Sequence, residues 1–448
     1  MAKISLTYNT AFFILRPTKS QSNKVKQRKI VVGIVHVDDL KSGMVLASDV
    51  KDSMGRFLLG HGIALQDKHI QIFKSWGITE ADIEGMDQKE VSEEIKLQID
   101  PDILEKCENY ASVLFQYSNN DHEAIRELKR LRILQLVKFL SSGANLPEIE
   151  VVEGKESAIS LTQEAEKEKP LSAEALIKNA HLASFPDTYY RIMKVLNDPH
   201  SSASRLAEVI SKDTSLSSNL LKMANSAFYG LPTKVDTVTR AITLIGLNEI
   251  STLAMGVLTM RFFKSIPQKL IDMKSFWIHS IACGVIASII ARHKTGLEEE
   301  RFFVAGLLHD MGRLVIAITM PHKTVQAILE SRRRLTPLFK IEKEIFGYDH
   351  AYVASLLLRK WNFPVALENM VRFHHEPAKA LQPLDASIIH LANIISLSCQ
   401  LGHSGEIFVP PLIDNAWKAI SISPSVLGPT ISQAERLVNE MMKDFGDA

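Results

Sequence analysis

Val304-Ala-Gly-Leu-Leu-His-Asp-Met-Gly-Arg313 sets two metal-competent side chains, His309 and Asp310, directly behind an apolar run. Burying that pair costs free energy unless it is ion-paired or metal-bound. Gly306 and Gly312 flank it, leaving room for neighbouring helices to approach closely. Four more imidazoles sit around this stretch. His279 opens an apolar helical run (Ile278, Ile281, Val285, Ile286, Ile289), and His350 precedes the helical stretch 351–360. His374 and His375 end a run through Val365, Leu367, Met370, Val371 and Phe373, stopped by Glu376-Pro377. Imidazole nitrogen and carboxylate oxygen are the donors that suit borderline first-row divalent ions. Taken alone, His279 reads as a core residue. The six together, each near a helix terminus, read as one candidate pocket, although spacing does not establish that they converge.

Hydropathy places these residues in a helical half. Residues 171–445 carry apolar positions at helical spacing and no strand cluster. Asp213 or Thr214 is the expected cap of the helix burying Leu216, Leu220, Leu221 and Ala224. Thr430-x-x-Gln433 reads as a capping box before Leu437, Val438 and Met441. The first half differs. Val31, Val32, Ile34 and Val35 are strand-like, and Gly43, Gly55, Gly60 and Gly62 punctuate short segments as turns do. A helix with Ile70, Phe73 and Trp76 follows, ending at Gly77.

The expected class is therefore mainly α: an all-helical C-terminal half behind a small β-rich or α+β module. The boundaries read as a flexible leader over 1–29, the β-rich module over 30–86 and a helical connector over 101–140. An acidic linker over 146–170, with seven Glu and three Lys, leads to the helical domain over 172–400. A helical extension over 401–448 follows.

Composition narrows the setting. The 448 residues carry a formal net charge of +1, so no global field favours nucleic acid or an anionic membrane. Three cysteines, with no CxxC spacing, favour a reducing cytoplasmic location over a disulfide framework. The apolar stretch 278–291 contains His279 and falls short of the roughly 20 residues of a spanning helix, so membrane insertion is not expected.

The motif Val304–Arg313, with Trp277-Ile-His279-Ser upstream and Phe346-Gly-Tyr-Asp-His350 downstream, resembles the HD superfamily. Leu182-Ala-Ser-Phe-Pro186, the stretch Ile210–Ser226 and Ala241-Ile-Thr-Leu-Ile-Gly246 make it most similar to the HDOD domain, the HD-related output domain of bacterial signalling. The resemblance covers about residues 172–400, and Thr214 stands where the family usually has Pro. The 30–86 module, with Leu40-Lys-Ser-Gly-Met44 and Leu58-Leu-Gly-His-Gly62, resembles a small domain often found ahead of HD-GYP phosphodiesterases.

Set against catalytic HD-GYP domains, the resemblance implies metal ligands at His279, His309, Asp310, His350, His374 and His375. It implies a phosphate contact at Arg313. Ser275 stands where that family has a Glu ligand, Asn393 replaces an Asp ligand, and no Gly-Tyr-Pro follows Glu376. Two lost carboxylates weaken the charge balance and the bridging that a multi-metal site needs. Three functions follow. The first is a largely non-catalytic regulatory protein that engages other signalling proteins. The second is a metal-dependent phosphohydrolase acting on a cyclic dinucleotide or other nucleotide, with iron, manganese, zinc or a similar divalent ion as candidate cofactor. The third, a nucleic-acid-binding regulator built on helices around Arg205–Ser226, is weakened by the few cations there (Arg205, Lys212, Lys222).

Overall fold

The structure is a computed structural model, and it describes residues 32–51, 57–75, 78, 80–85, 99–146, 165, 168–179, 187–196, 198, 200, 202–226, 229, 231, 233–263, 271–294, 296–297 and 299–445. The expected leader, Trp76, Gly77, most of the acidic linker and the Leu182–Pro186 motif lie outside the described residues.

The first unit is small and β-rich. β1 (Val32–His36) pairs antiparallel with β4 (Glu80–Glu84), and β2 (Val50–Lys51) pairs with β3 (Phe57–Leu59). Gly43 takes φ +97°, the left-handed conformation a turn there requires, and donates its N–H to the Leu65 carbonyl. Helix α1 (Asp67–Ser75) covers the sheets, so that Phe73 joins Val35, Val37, Leu46 and Ile83 in a separate core.

Two helices follow, α2 (Pro101–Leu114) and α3 (Glu123–Ser141), capped by Asp100 and His122. Leu114, Phe115, Ile125 and Leu128 belong to the main core of the helical half. The expected connector is thus part of the helical body. The β-rich unit leans on it through two partly buried contacts, His36 Nδ1 to Glu127 at 3.3 Å and the Asp39–Arg130 ion pair at 3.0 Å.

The helical half runs α4 (Ala173–Asn179), α5 (Asp187–Leu196), α6 (Ala203–Ser211), α7 (Thr214–Ala224), α8 (Val238–Ile245) and α9 (Leu247–Phe262). It continues as α10 (Met273–Arg292), α11 (Glu299–Leu308), α12 (Met311–Thr319), α13 (Pro321–Arg334), α14 (Leu338–Phe346) and α15 (His350–Lys360). The last four are α16 (Val365–Arg372), α17 (Pro383–Ser398), α18 (Asp414–Ile420) and α19 (Leu427–Phe445). Asp213, rather than Thr214, caps α7, accepting from Leu216 N at 2.9 Å. The expected capping box at Thr430 is not used. Helix α19 begins three residues earlier, behind a 3-10 turn that Ser423 caps, and Thr430 is buried within it.

Helices α10 and α17 are buried nearly all round, which explains their continuous apolar sequence. By length and hydropathy alone, Met273–Arg292 and Glu299–Thr319 pass as membrane spans, so the shorter stretch counted from sequence understated them. Most of each stretch is buried inside the protein, as in the core helices of a bundle. Gly306 on α11 lies against Gly284 on α10 so closely that a Cβ on Gly306 would stand 2.5 Å from the Gly284 Cα. This contact, with Gly312 against the His350 carbonyl, brings the His309–Asp310 turn up to α10 and α15.

Candidate metal centre

Helix geometry places the six ligand candidates. His279 is in the second turn of α10, and His309 and Asp310 form the break between α11 and α12. His350 is the first residue of α15, capped by Asp349, and His374 and His375 follow the C-terminus of α16. All six converge, and each is at most 8% exposed. Two compact trios form, His279–His309–Asp310 and His350–His374–His375, with ligand atoms in each within 4.8 Å of one another.

Asp310 joins the trios. Its Oδ2 lies 3.5 Å from His279 Nε2 and 3.3 Å from His309 Nε2. Its Oδ1 lies 2.9 Å from His350 Nε2 and 3.9 Å from His374 Nε2. His375 Nε2 is 3.1 Å from His350 Nε2, and its ring stacks on Phe339 at 4.2 Å. Nitrogens at about 2.0–2.1 Å from one ion would stand about this far apart at right angles.

The far side of each ring fixes which nitrogen faces inward. A carbonyl only accepts, so His309 and His374 donate Nδ1–H to the Gly306 and Val371 carbonyls, both at 2.7 Å. The Ser396 hydroxyl gives its proton to the Leu401 carbonyl and accepts from His279 Nδ1 at 3.0 Å. His350 Nδ1 meets Glu342 Oε2 at 2.5 Å. Such outer partners orient metal-ligating imidazoles. They leave Nε2 of His279, His309 and His374 buried with no hydrogen-bond partner. A buried cluster of unpartnered ring nitrogens around one carboxylate fits a divalent cation.

Electrostatics divides the imidazoles. Burial holds His279 down, to about 4, and holds His374 and His375 well below the usual range, helped by neighbouring histidines. Burial also opposes charge on His309 and His350, yet Asp310 raises His309 well above normal. Glu342 and Asp310 together raise His350. Burial likewise disfavours ionised Asp310, but Arg313, His309 and His350 hold its carboxyl well below the usual range.

Of the residues expected beside the ligands, Arg313 and Ser275 have other partners, and Asn393 Oδ1 is buried without a hydrogen bond. Arg313 is 6% exposed and turned inward, 3.3 Å from both Asp310 Oδ2 and Glu342 Oε1, so it points away from any external phosphate. Ser275 accepts from His403 N at 3.0 Å. Asn393 is buried one turn before Ser396, and no hydrogen bond or ion pair among the described residues links it to the six. Three further residues complete the surround and were missed in sequence: Glu342, Ser404 and Glu406. Glu342 follows Ile341 on the buried face of α14, a polar residue at a core position, and that was its only signal. Ser404 sits in Gly402-His-Ser-Gly405, where Gly402 and Gly405 mark a loop held close to its neighbours.

Residues 182–377 match the HDOD domain family. This is an HDOD-domain protein. Among curated proteins, the HDOD-domain chain is 25% identical over 196 residues to an uncharacterized protein of Treponema pallidum (strain Nichols), covering 43% of this chain and 37% of that one. It is 23% identical over 186 residues to the uncharacterized protein YuxH of Bacillus subtilis (strain 168), covering 41% and 42%. The matches thus span about two-fifths of the length of those relatives. Among solved structures, it resembles an HDOD domain protein with unknown function from Geobacter sulfurreducens at 21% identity and TM-score 0.45, covering 66% of this chain and 96% of that one. It also resembles the MmoQ response regulator of Methylococcus capsulatus str. Bath at 24% identity and TM-score 0.28, covering 47% and 84%.

Proposed function

We propose that this HDOD-domain protein is a cytoplasmic regulator of bacterial signal transduction, with a histidine–aspartate centre that holds a divalent metal and does not turn over substrate. Its partners are other signalling proteins. The observation that carries this reading is the closure of the centre. Ser404 donates to Asp310 Oδ2, and Arg313 Nη1 lies against both groups, so the central carboxylate faces protein on every side. The six ligands are buried, and none of them lines the 330 Å³ cavity beside Ser275 or the 20 Å³ cavity beside Arg313. A phosphodiester needs contact with an ion, and these side chains leave it no approach.

Charge points the same way. Asp310 and Glu342 are the anions closest to the imidazoles, and Arg313 offsets one of them. That balance suits one divalent ion better than two, because a closely spaced pair needs more bridging carboxylate. When bound, such an ion supplies Lewis acidity and a strong cross-link between α10, the α11–α12 turn, α15 and the end of α16. The chain's own residues orient the imidazoles, exclude water and hold the Asp310 charge. Reconstitution with Zn(II) or Mn(II), followed by metal analysis and thermal melting, tests this reading. A raised Tm with one bound ion per chain supports it, and an unchanged Tm contradicts it.

A metal-dependent phosphohydrolase is the second reading. It is favoured by the way the two oxygens of Asp310 divide between the trios, as a bridging carboxylate would. It requires that the segment around Ser404 move aside.

A further inference from the structure

We propose that residues 401–407 form a removable plug on the metal centre, seated by the α2–α3 turn, so that the β-rich unit controls entry of the ion. The proposal deepens the metal-site reading above and rests on it.

The inner end of the segment occupies Asp310. Ser404 is 2% exposed, donates to Asp310 Oδ2 and accepts from Arg313 Nη1. An ion held by Asp310 Oδ2 with His279 and His309 competes with that hydrogen bond. Gly402, at φ +69°, presses against the first turns of α10, where a Cβ would stand 2.7 Å from His279 N. Glu406, also buried, accepts from Leu338 N at 2.7 Å and so ties the segment to the start of α14, the helix that carries Glu342. The segment therefore touches two of the walls that hold the ligands, α10 and the α11–α12 turn, and the helix that carries Glu342.

Its outer end is gripped elsewhere. Val409 N donates to the Leu114 carbonyl at 2.9 Å, and Ser118 Oγ donates to the Val409 carbonyl at 2.7 Å. Asn119 makes a reciprocal pair with the Leu412 backbone, both bonds at 3.0 Å, and Tyr117 packs on Phe408 at 4.8 Å. These residues lie in the turn between α2 and α3. Further along α3, Glu127 meets His36 and Arg130 pairs with Asp39 of the β-rich unit. One helix thus bears the contacts of both the β-rich unit and the plug. Displacing the unit shifts α3 and, with it, the grip on residues 408–412. Physical continuity becomes coupling only if the plug has two positions, and the rate of ion entry reports that directly.

The test is stopped-flow uptake of Co(II), followed by its visible absorbance, by the full-length chain and three variants. Ser404→Ala removes the bond to Asp310, Asn119→Ala loosens the outer grip, and Asp39→Asn weakens the tie to the β-rich unit. Loss of a charge-assisted hydrogen bond or buried tie should speed entry by at least about tenfold in each. The final Co(II) stoichiometry and the far-ultraviolet circular dichroism should stay unchanged. Equal rates in all four proteins overturn the plug while leaving the metal site standing. Acceleration by Ser404→Ala and Asn119→Ala but not by Asp39→Asn overturns control by the β-rich unit. No Co(II) spectrum in any of them overturns the metal site and the plug together.

Discussion

Asp310 Oδ1 lies 2.9 Å from His350 Nε2, and the opposite nitrogen of that ring lies 2.5 Å from Glu342. One imidazole thus bridges two buried carboxylates. With Nδ1 protonated toward Glu342, Nε2 can meet Asp310 favourably in only two ways, by carrying a second proton or by sharing a metal ion.

Ion binding should therefore release protons. His309 and His350 both titrate above the ordinary histidine value, and each must give up its Nε2 proton to become a ligand. Metal affinity should rise with pH through the neutral range. Calorimetry at pH 7 in buffers of different ionisation enthalpy should show about one or two protons released. Buffer-independent heats would mean that these imidazoles are already neutral.

The metal-free protein should show a matching stability profile. His350 has a folded pKa above its unfolded value near 6.5, so its contribution is full below that value and is lost as pH rises through the folded pKa. Asp310 has the opposite sign: its folded pKa is depressed, so its contribution is present above about 3.8 and fades as pH falls through the folded value. Urea midpoints of the metal-free chain should decline above neutrality, and saturating metal should remove that decline.

Asp310→Ala strips the anion from His309 and leaves His350 and Arg313 to share Glu342 alone. Removing one partner of such a network costs about 3–5 kcal/mol. Denaturant titration of the metal-free variant checks this, and a loss below about 1 kcal/mol would show that Asp310 is not their common counter-ion.

Gly306→Ala tests the helix crossing that brings His309 and Asp310 to α10. The new methyl would meet Gly284 backbone atoms at 2.5 Å, where no flexible side chain can yield. A loss of about 1–3 kcal/mol is expected, the usual range for overpacking a tight core. Thermal melting with no change would place the two helices further apart.

A chain starting near residue 99 should fold and bind metal, whereas one starting near residue 172 should not. The second deletion removes Leu114, Phe115, Ile125 and Leu128 from the main core, at about 1.5–3 kcal/mol each. Limited proteolysis of the intact chain should still cut first within residues 146–170, where Glu and Lys crowd the sequence.

The sequence was most legible where periodicity and chemistry coincide. The Val304–Arg313 motif announced a buried polar pair, and its glycines announced the close crossing found at Gly284. The convergence of six ligands from four segments is a tertiary fact that no spacing encodes, and the comparison with HD-GYP domains supplied that expectation. Arg313 was misplaced for a physical reason. The comparison with HD-GYP domains implied a phosphate contact there, yet two buried carboxylates hold its guanidinium. Glu342 and Ser404 were invisible because a lone Glu on an amphipathic helix and a Ser in a loop are ordinary surface residues until burial is known. The α2–α3 hairpin read as a connector because its apolar face does not say which core it joins.

Multiple-turnover hydrolysis of a cyclic dinucleotide by the metal-loaded, full-length chain tests the regulatory reading most directly. A closed centre with Asp310 as its central carboxylate predicts no turnover above the uncatalysed background, even at saturating metal. Sustained hydrolysis that disappears in both His309→Ala and Asp310→Ala would contradict it and establish a phosphohydrolase.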